Sequence, residues 1–301
     1  MIYATINYDN KEQLCCVDNA GSRIFLLEHF LKQEFREEDL PKSMLQFISC
    51  YLPEWTDKIA LFFGLRPEYA IPLSDVDLLA PIPKPARNII CLGKNYQAHA
   101  EELKGQIFSD SIPRKPIYFT KPDHTVIGPN QTILLHGKIT SKVDYEVELA
   151  VIIGKNGIDI PIEKAEEHIF GYTIANDVSA RDLQHDHTQW YKGKSLTTHC
   201  PMGPWIVHKS ELPFPLSLDL RCTISGELRQ HGNTRDLIFD IPTIISDLSL
   251  GYELRPGDII LTGTPAGVGM GFDPPKYLKA KDTVLCEIDK IGSLSNSVNE
   301  G

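Results

Sequence analysis

The chain has 301 residues, 42% hydrophobic and 23% charged, an ordinary balance for a globular protein with a large core. A formal net charge of −10 leaves no basic stripe to collect phosphates, which excludes a general nucleic-acid binder. Seven scattered cysteines without a Cys-x-x-Cys pair exclude a disulfide framework or zinc ribbon, and no run approaches the 18 apolar residues of a membrane span.

Reduced thiols, together with an N-terminus lacking a basic start and apolar stretch, read as a cytoplasmic protein. In chain order, β-like runs at 2–8, 13–17 and 22–27 precede helical patterns at 26–33 and 40–51. Pro81, Pro83 and Pro85 then stiffen the backbone and mark a boundary, dividing a small N-terminal α/β domain (1–82) from a larger one (83–301). Beyond it the pattern turns strand-rich, at 88–92, 117–120, 132–135, 146–153, 172–175, 205–207, 219–224, 258–262 and 284–288. Helical patterns are few, at 96–103, 165–169 and 240–249. Many short strands with turns between them predict an α+β fold with a mixed, largely antiparallel sheet roll or barrel. The last stretch, 292–301, is small and polar and is expected to fray.

Four constellations carry chemistry. In Cys91-Leu-Gly-Lys-Asn-Tyr-Gln-Ala-His-Ala-Glu-Glu102 a strand turns into a helix on which His99 and Glu102 share a face. A carboxylate partner fixes the imidazole tautomer, which suits a base working near pH 7; a surface His–Glu pair is the plain alternative. The turn-prone 104–113 that follows suits a lid.

The second constellation is the densest. In Val143-Asp-Tyr-Glu-Val-Glu-Leu-Ala-Val-Ile-Ile-Gly154, Glu146 and Glu148 point to one face of a strand. A later run, 169–175, delivers Asp177 at a strand end. Carboxylates about 5 Å apart repel by about 3 kcal/mol at an effective dielectric of about 20. A Glu-x-Glu pair also fits the solvated face of an edge strand, but the apolar run after Glu148 points to burial. Buried carboxylates so spaced need either a proton or a cation, and all-oxygen ligation favours Mg²⁺, Mn²⁺ or Ca²⁺ over Zn²⁺.

Third, Lys194 in Tyr191-Lys-Gly-Lys-Ser stands amid uncharged neighbours; near three carboxylates and a bound anion it would stay charged and neutralise developing negative charge. Fourth, Gly257-Asp-Ile-Ile-Leu-Thr-Gly-Thr-Pro-Ala-Gly-Val-Gly269 is a strand feeding a glycine-rich turn whose amides suit a carboxylate. It is neither a P-loop nor a dinucleotide fingerprint. His185 and His187 form a His-x-His pair, but carboxylates already fill the ligand role; Cys91 and Cys200 have no neighbour that would lower their pKa.

Taken together, residues 86–291 resemble the fumarylacetoacetate hydrolase family. Its Gly-Arg/Lys-Asn-Tyr-x-x-His-x-x-Glu pattern is similar to Gly93 through Glu102, its Glu-x-Glu strand to Glu146 and Glu148, and its Asn-Asp-x-Ser/Thr-Ala-Arg-Asp-x-Gln motif places the later Asp on Asp177. Lys-Ser-Phe-x-x-x-x-Pro resembles Lys194 through Pro201 with Leu196 for Phe, and Thr-Gly-Thr-Pro-x-Gly-Val-Gly matches Thr262 through Gly269. The resemblance implies a mixed β-sandwich roll, a homodimer, and Mg²⁺ or Mn²⁺ held by Glu146, Glu148 and Asp177. It implies C–C hydrolysis of an acylpyruvate or related β-dicarbonyl 2-keto acid, with His99 as base, Glu102 orienting it and Lys194 supporting the oxyanion. Arg181, Gln184 and Thr264 would bind the substrate carboxylate, with Lys121 as a further binding residue. Oxaloacetate decarboxylation, isomerisation or hydration of dienoic diacids, and a metal-stabilised interaction scaffold are the alternatives.

Overall fold

The computed structural model describes residues 1–18, 20–102 and 113–301. Its spine is a mixed sheet ordered Arg23–Leu26, Lys11–Val17, Ile2–Tyr8, Cys200–His208, Ile169–Asn176, Val147–Ile153, Ile259–Leu261, Ile89–Gly93 and Ile117–Lys121. Antiparallel pairing of Ile2 with Val207 carries this sheet from the N-terminal strands into the rest of the chain. A second sheet runs Glu227–Asn233, Asp219–Ile224, Thr283–Ile288, Gly292–Asn299 and Ile133–Leu134. The result is a mixed α+β fold, as the strand pattern predicts, with open sheets that do not close into a barrel.

The strand Val147–Ile153 shows how the layers form. All seven of its residues are buried, as a near-continuous apolar run requires of a strand covered on both faces. Val147, Leu149, Val151 and Ile153 pack against Leu220, Cys222, Val284 and Ile288 of the second sheet. Ala150 and Ile152 point the other way, into a cluster with Tyr3, Phe47, Trp55 and Phe170. Glu146 and Glu148 share that second face by the period of two.

Several boundaries differ from the sequence pattern, each for a local reason. The helix expected at 40–51 is Met44–Cys50, because Ser43 caps it by accepting from the Gln46 amide. The helix Trp55–Gly64 was not anticipated, although Trp55, Ile59, Phe62 and Phe63 recur at helical spacing and are its buried residues. Residues Ile162–His168 form a 3₁₀ turn. The tail does not fray: Gly292–Asn299 is a full strand with Leu294, Asn296 and Val298 facing inward. The Asn296 amide donates to the Gly128 and Gln131 carbonyls, so a polar sequence is held by satisfied hydrogen bonds. Among the described residues no helix is long and apolar enough to cross a membrane, and all seven cysteines are free.

Candidate metal centre

Strand register assembles the acidic cluster. Val147 lies opposite Asn176, so Asp177 emerges beside Glu146, and its amide donates to the Glu146 carbonyl at 2.9 Å. The Asn176 side-chain oxygen accepts from the Glu146 amide at 2.9 Å, fixing this corner from both sides. One carboxylate oxygen from each of Glu146, Glu148 and Asp177 lies within 4.8 Å of the others, and all three residues are buried.

Buried cations surround them. The Lys194 ammonium donates to Glu146 Oε2 at 2.8 Å and to Asp177 Oδ2 at 2.6 Å. Lys121 donates to Asp177 Oδ1 at 2.7 Å and to the Val178 carbonyl at 3.0 Å. Arg181 meets Glu146 Oε1 at 2.6 Å, Asp144 Oδ2 at 2.9 Å and the Gln184 side-chain oxygen at 3.1 Å.

These contacts divide the glutamates. Burial alone would raise the Glu146 pKa, but the Lys194 and Arg181 charges outweigh it and hold the carboxyl well below the usual carboxylate range. Burial pushes Glu148 well above that range, and the charges of Asp177 and Glu146 push it further. Glu148 accepts a hydrogen bond from the Gly263 amide at 2.6 Å, which is insufficient compensation. Three buried carboxylate oxygens around one point, with excess negative potential at Glu148, fit a hard divalent cation. The ammonium bridging Glu146 and Asp177 demonstrates that the gap takes positive charge.

The helix Gln97–Glu102 brings His99 to the same place. His99 is 5% exposed, and its Nδ1 faces Glu102 Oε1 at 3.3 Å. Glu102 is itself fixed by the Gly267 amide at 2.7 Å and the Val268 amide at 3.3 Å. Gly267 is required here: its φ is +104°, and a Cβ would lie 2.0 Å from the Arg229 carbonyl oxygen.

His99, Glu146, Glu148, Arg181, Gln184, Lys194 and Thr264 line one cleft together with Phe119 and Trp190, and the Lys194 ammonium lies 4.9 Å from the centre of the Phe119 ring. The Phe119 and Trp190 rings meet edge to face at 5.4 Å, and Trp190 lies so close to Gly93 that a Cβ there would sit 2.4 Å from the ring. Asp177, Glu102 and Lys121 stand behind this surface. Lys121 is fully buried as a counter-ion of Asp177 and is not among the residues that line the cleft.

The glycine-rich loop differs in its use from the sequence expectation. Its amides grip the protein's own carboxylates: Gly263 holds Glu148, Gly267 and Val268 hold Glu102, and Gly269 and Met270 hold Asp144 at 2.6 and 3.0 Å. Thr264 donates its hydroxyl to the Val147 carbonyl at 2.9 Å. The proposed lid at 104–113 lies, but for Pro113, outside the described residues. His185 is exposed beside Asp186, while Cys91 and Cys200 are buried with thiol pKa values pushed up, Cys200 to about 12, chiefly by burial.

Sequence reasoning missed four residues. Asp144 anchors Arg181 and obeys the same alternation that marked Glu146 and Glu148. Asn95 ties the helix entry to the loop through the Thr262 carbonyl at 2.8 Å and the Phe239 backbone. Trp190 directly precedes the Tyr191–Lys194 helix that carries Lys194, and Gln230 reaches the site from a distant strand; no local spacing signals either of them.

A family model described as fumarylacetoacetate (FAA) hydrolase C-terminal matches residues 88–299. The oxaloacetate tautomerase YisK of Bacillus subtilis (strain 168) is 46% identical over 285 residues, covering 92% of this chain and 93% of that protein. Among solved structures, a fumarylacetoacetate hydrolase from psychrophilic Exiguobacterium antarcticum has a TM-score of 0.83 at 36% identity, with 100% of each chain covered. Maleylpyruvate hydrolase from Sphingobium sp. SYK-6, solved in complex with manganese(II) ion and pyruvate, has a TM-score of 0.78 at 29% identity, again covering 100% of each chain.

Proposed function

We propose that this chain, which belongs to the fumarylacetoacetate hydrolase family, is a divalent-metal-dependent enzyme that interconverts the enol and keto forms of a small 2-keto diacid of the oxaloacetate type. One observation carries the reading: a buried histidine base lines the same cleft as Glu146 and Glu148, and Asp177 completes with them a carboxylate triad, within 4.8 Å, suited to Mg²⁺ or Mn²⁺. The long match to an oxaloacetate tautomerase supports the substrate class. The solved relative that holds manganese and pyruvate, a 2-keto acid, supports the cofactor.

Glu146, Glu148 and Asp177 would hold the cation, which when bound acts as a Lewis acid towards a 2-keto acid. The protein's own residues supply the rest. An ionised Glu102 only accepts, so the proton of His99 resides on Nδ1 and its Nε2 is the basic atom. Towards the enol, His99 takes the proton from the carbon next to the ketone and the enolate oxygen takes one from water; towards the ketone, the enol oxygen gives its proton to water and His99 returns one to the carbon. Arg181, Gln184 and Lys194 line the cleft where the substrate's carboxylates would sit. Phe119 and Trp190 add apolar surface to the cleft in which a planar enol would lie.

Hydrolytic cleavage of an acylpyruvate is the second reading. A His–Glu pair with a fixed tautomer is also what activating a water requires. The deciding experiment follows the ultraviolet absorbance of enol-oxaloacetate with Mn²⁺, with Mg²⁺ and with EDTA, and measures pyruvate release from oxaloacetate and from acylpyruvates. Metal-dependent ketonisation without pyruvate release is expected. Acylpyruvate cleavage without faster ketonisation would install the second reading, and no metal-dependent change in any of them would defeat both.

A further inference from the structure

We infer that Gln230, contributed by the second sheet, positions the two glutamates by holding, with Thr264, the backbone of the residue between them, and so sets how tightly the centre binds its cation. The inference rests on the reading that Glu146, Glu148 and Asp177 hold a divalent ion.

The need for a clamp follows from the sheet itself. Ile259–Leu261 pairs with Val147–Ile153 only as far as Ala150 opposite Leu261. Thr262 extends the contact by one step, donating to the Leu149 carbonyl at 3.0 Å from both its amide and its hydroxyl. The chain then turns away at Gly263, whose φ of +97° leads it out of the sheet. Val147, the residue between the two glutamates, therefore meets no backbone on that edge.

Side chains replace the lost strand. Gln230 Oε1 accepts from the Val147 amide at 3.0 Å, and Thr264 Oγ1 donates to the Val147 carbonyl at 2.9 Å. Gln230 Nε2 donates in turn to Thr264 Oγ1 at 2.7 Å and to the Pro265 carbonyl at 2.8 Å. The orientation of the Gln230 amide is fixed by chemistry, since the Val147 amide only donates and the Pro265 carbonyl only accepts.

Gln230 is fully buried and does not line the cleft, so it is a positioning residue. A glutamate would lack the two donors, an asparagine would be one carbon short, and a methionine would supply neither function. The Val147 amide belongs to the peptide that joins it to Glu146, and its carbonyl to the peptide that joins it to Glu148, so the Gln230–Thr264 pair holds the backbone of both glutamates. The same clamp ties them to the loop whose amides hold Glu148 and Glu102.

Gln230→Met keeps length and volume while removing one acceptor and two donors. Metal-free full-length protein titrated with Mn²⁺, by calorimetry or by electron paramagnetic resonance of the free ion, gives the dissociation constant, and thermal melting of the same samples gives stability. The dissociation constant is expected to rise about ten- to a hundredfold, as for other groups that orient metal ligands. At saturating Mn²⁺, kcat is expected to fall while KM stays within about twofold. Thr264→Val should give a smaller rise, and the double variant less than the product of the two, because the two side chains hydrogen-bond each other and hold the same residue. A lower melting temperature with an unchanged Mn²⁺ dissociation constant and unchanged kcat would reduce Gln230 to a fold tie and overturn the inference. Should Gln230→Met fail to fold, an unchanged dissociation constant in Thr264→Val would overturn it equally. Wild-type protein that fails to bind Mn²⁺ would instead sink the metal reading itself.

Discussion

Along one face of the Val147–Ile153 strand two kinds of interior lie only four residues apart. Ile152 ends in an aromatic cluster, where Tyr3 meets Phe47 at 5.1 Å, Tyr51 at 5.9 Å and Phe170 at 5.6 Å. Glu148 ends among Glu146, Asp177 and the charges that surround them. The first arrangement accounts for itself, since ring burial and edge-to-face pairing are stabilising wherever they occur. The second does not: desolvating charges opposes folding, and hydrophobic replacements of similar volume are often as stable. A charged interior that packing cannot justify points to a ligand. The aromatic region is there to hold the strand still.

The contrast can be broken most directly at the base. Replacing His99 by alanine should lower kcat/KM for ketonisation by about 10²–10⁴-fold, the range for a positioned acid–base group, while leaving the Mn²⁺ dissociation constant in place. A loss below tenfold in steady-state kinetics would remove His99 from the reaction. Lys121→Met should cost about 3–5 kcal/mol in urea unfolding of the metal-free protein, because Asp177 would remain buried with one counter-ion fewer. A change under about 1 kcal/mol would mean that Lys194 alone neutralises Asp177.

Trp55→Ala tests the other side. The cavity should cost about 3–5 kcal/mol in the same unfolding assay, yet the folded fraction should keep its kcat. Lost turnover at unchanged folded fraction would show that the two interiors are coupled. The smallest effect concerns acid. His208 touches Tyr3, Tyr51 and Phe170, and burial pushes its pKa down to about 4. An unfolded histidine near 6.5 binds a proton that the native one refuses. Its contribution is therefore whole above 6.5 and drains away as pH falls towards 4, by at most roughly 3 kcal/mol. Unfolding measured across that window should steepen for the wild type relative to His208→Phe, and parallel curves would exclude this source.

The sequence made Glu146 and Glu148 legible through alternation ahead of an apolar run, while Asp177 was legible from its place at a strand end and within a motif. His99 with Glu102, and the loop at 262–269, were legible as motifs. What stayed hidden depends on contacts between segments far apart in the chain. Gln230 is 83 residues from the amide it holds, and nothing near it in sequence announces that role. Lys121 reads as a binding residue until its burial against Asp177, 56 residues away, is seen. The tail at 292–299 failed for a different reason: serine and asparagine suggest fraying, but burial of Leu294, Asn296 and Val298 overrides composition.

One consequence of the 263–269 turn extends beyond any single hydrogen bond. Its peptide groups moor an acidic ligand of the candidate ion, the partner of the candidate proton carrier, and the anchor of a neighbouring guanidinium. Chemistry at the ion and chemistry at the imidazole thus share a foundation about seven residues long. Evolutionary or engineered drift in that stretch would be felt by both at once, so new specificities in such a scaffold are more readily reached through the aromatic lining at Phe119 and Trp190.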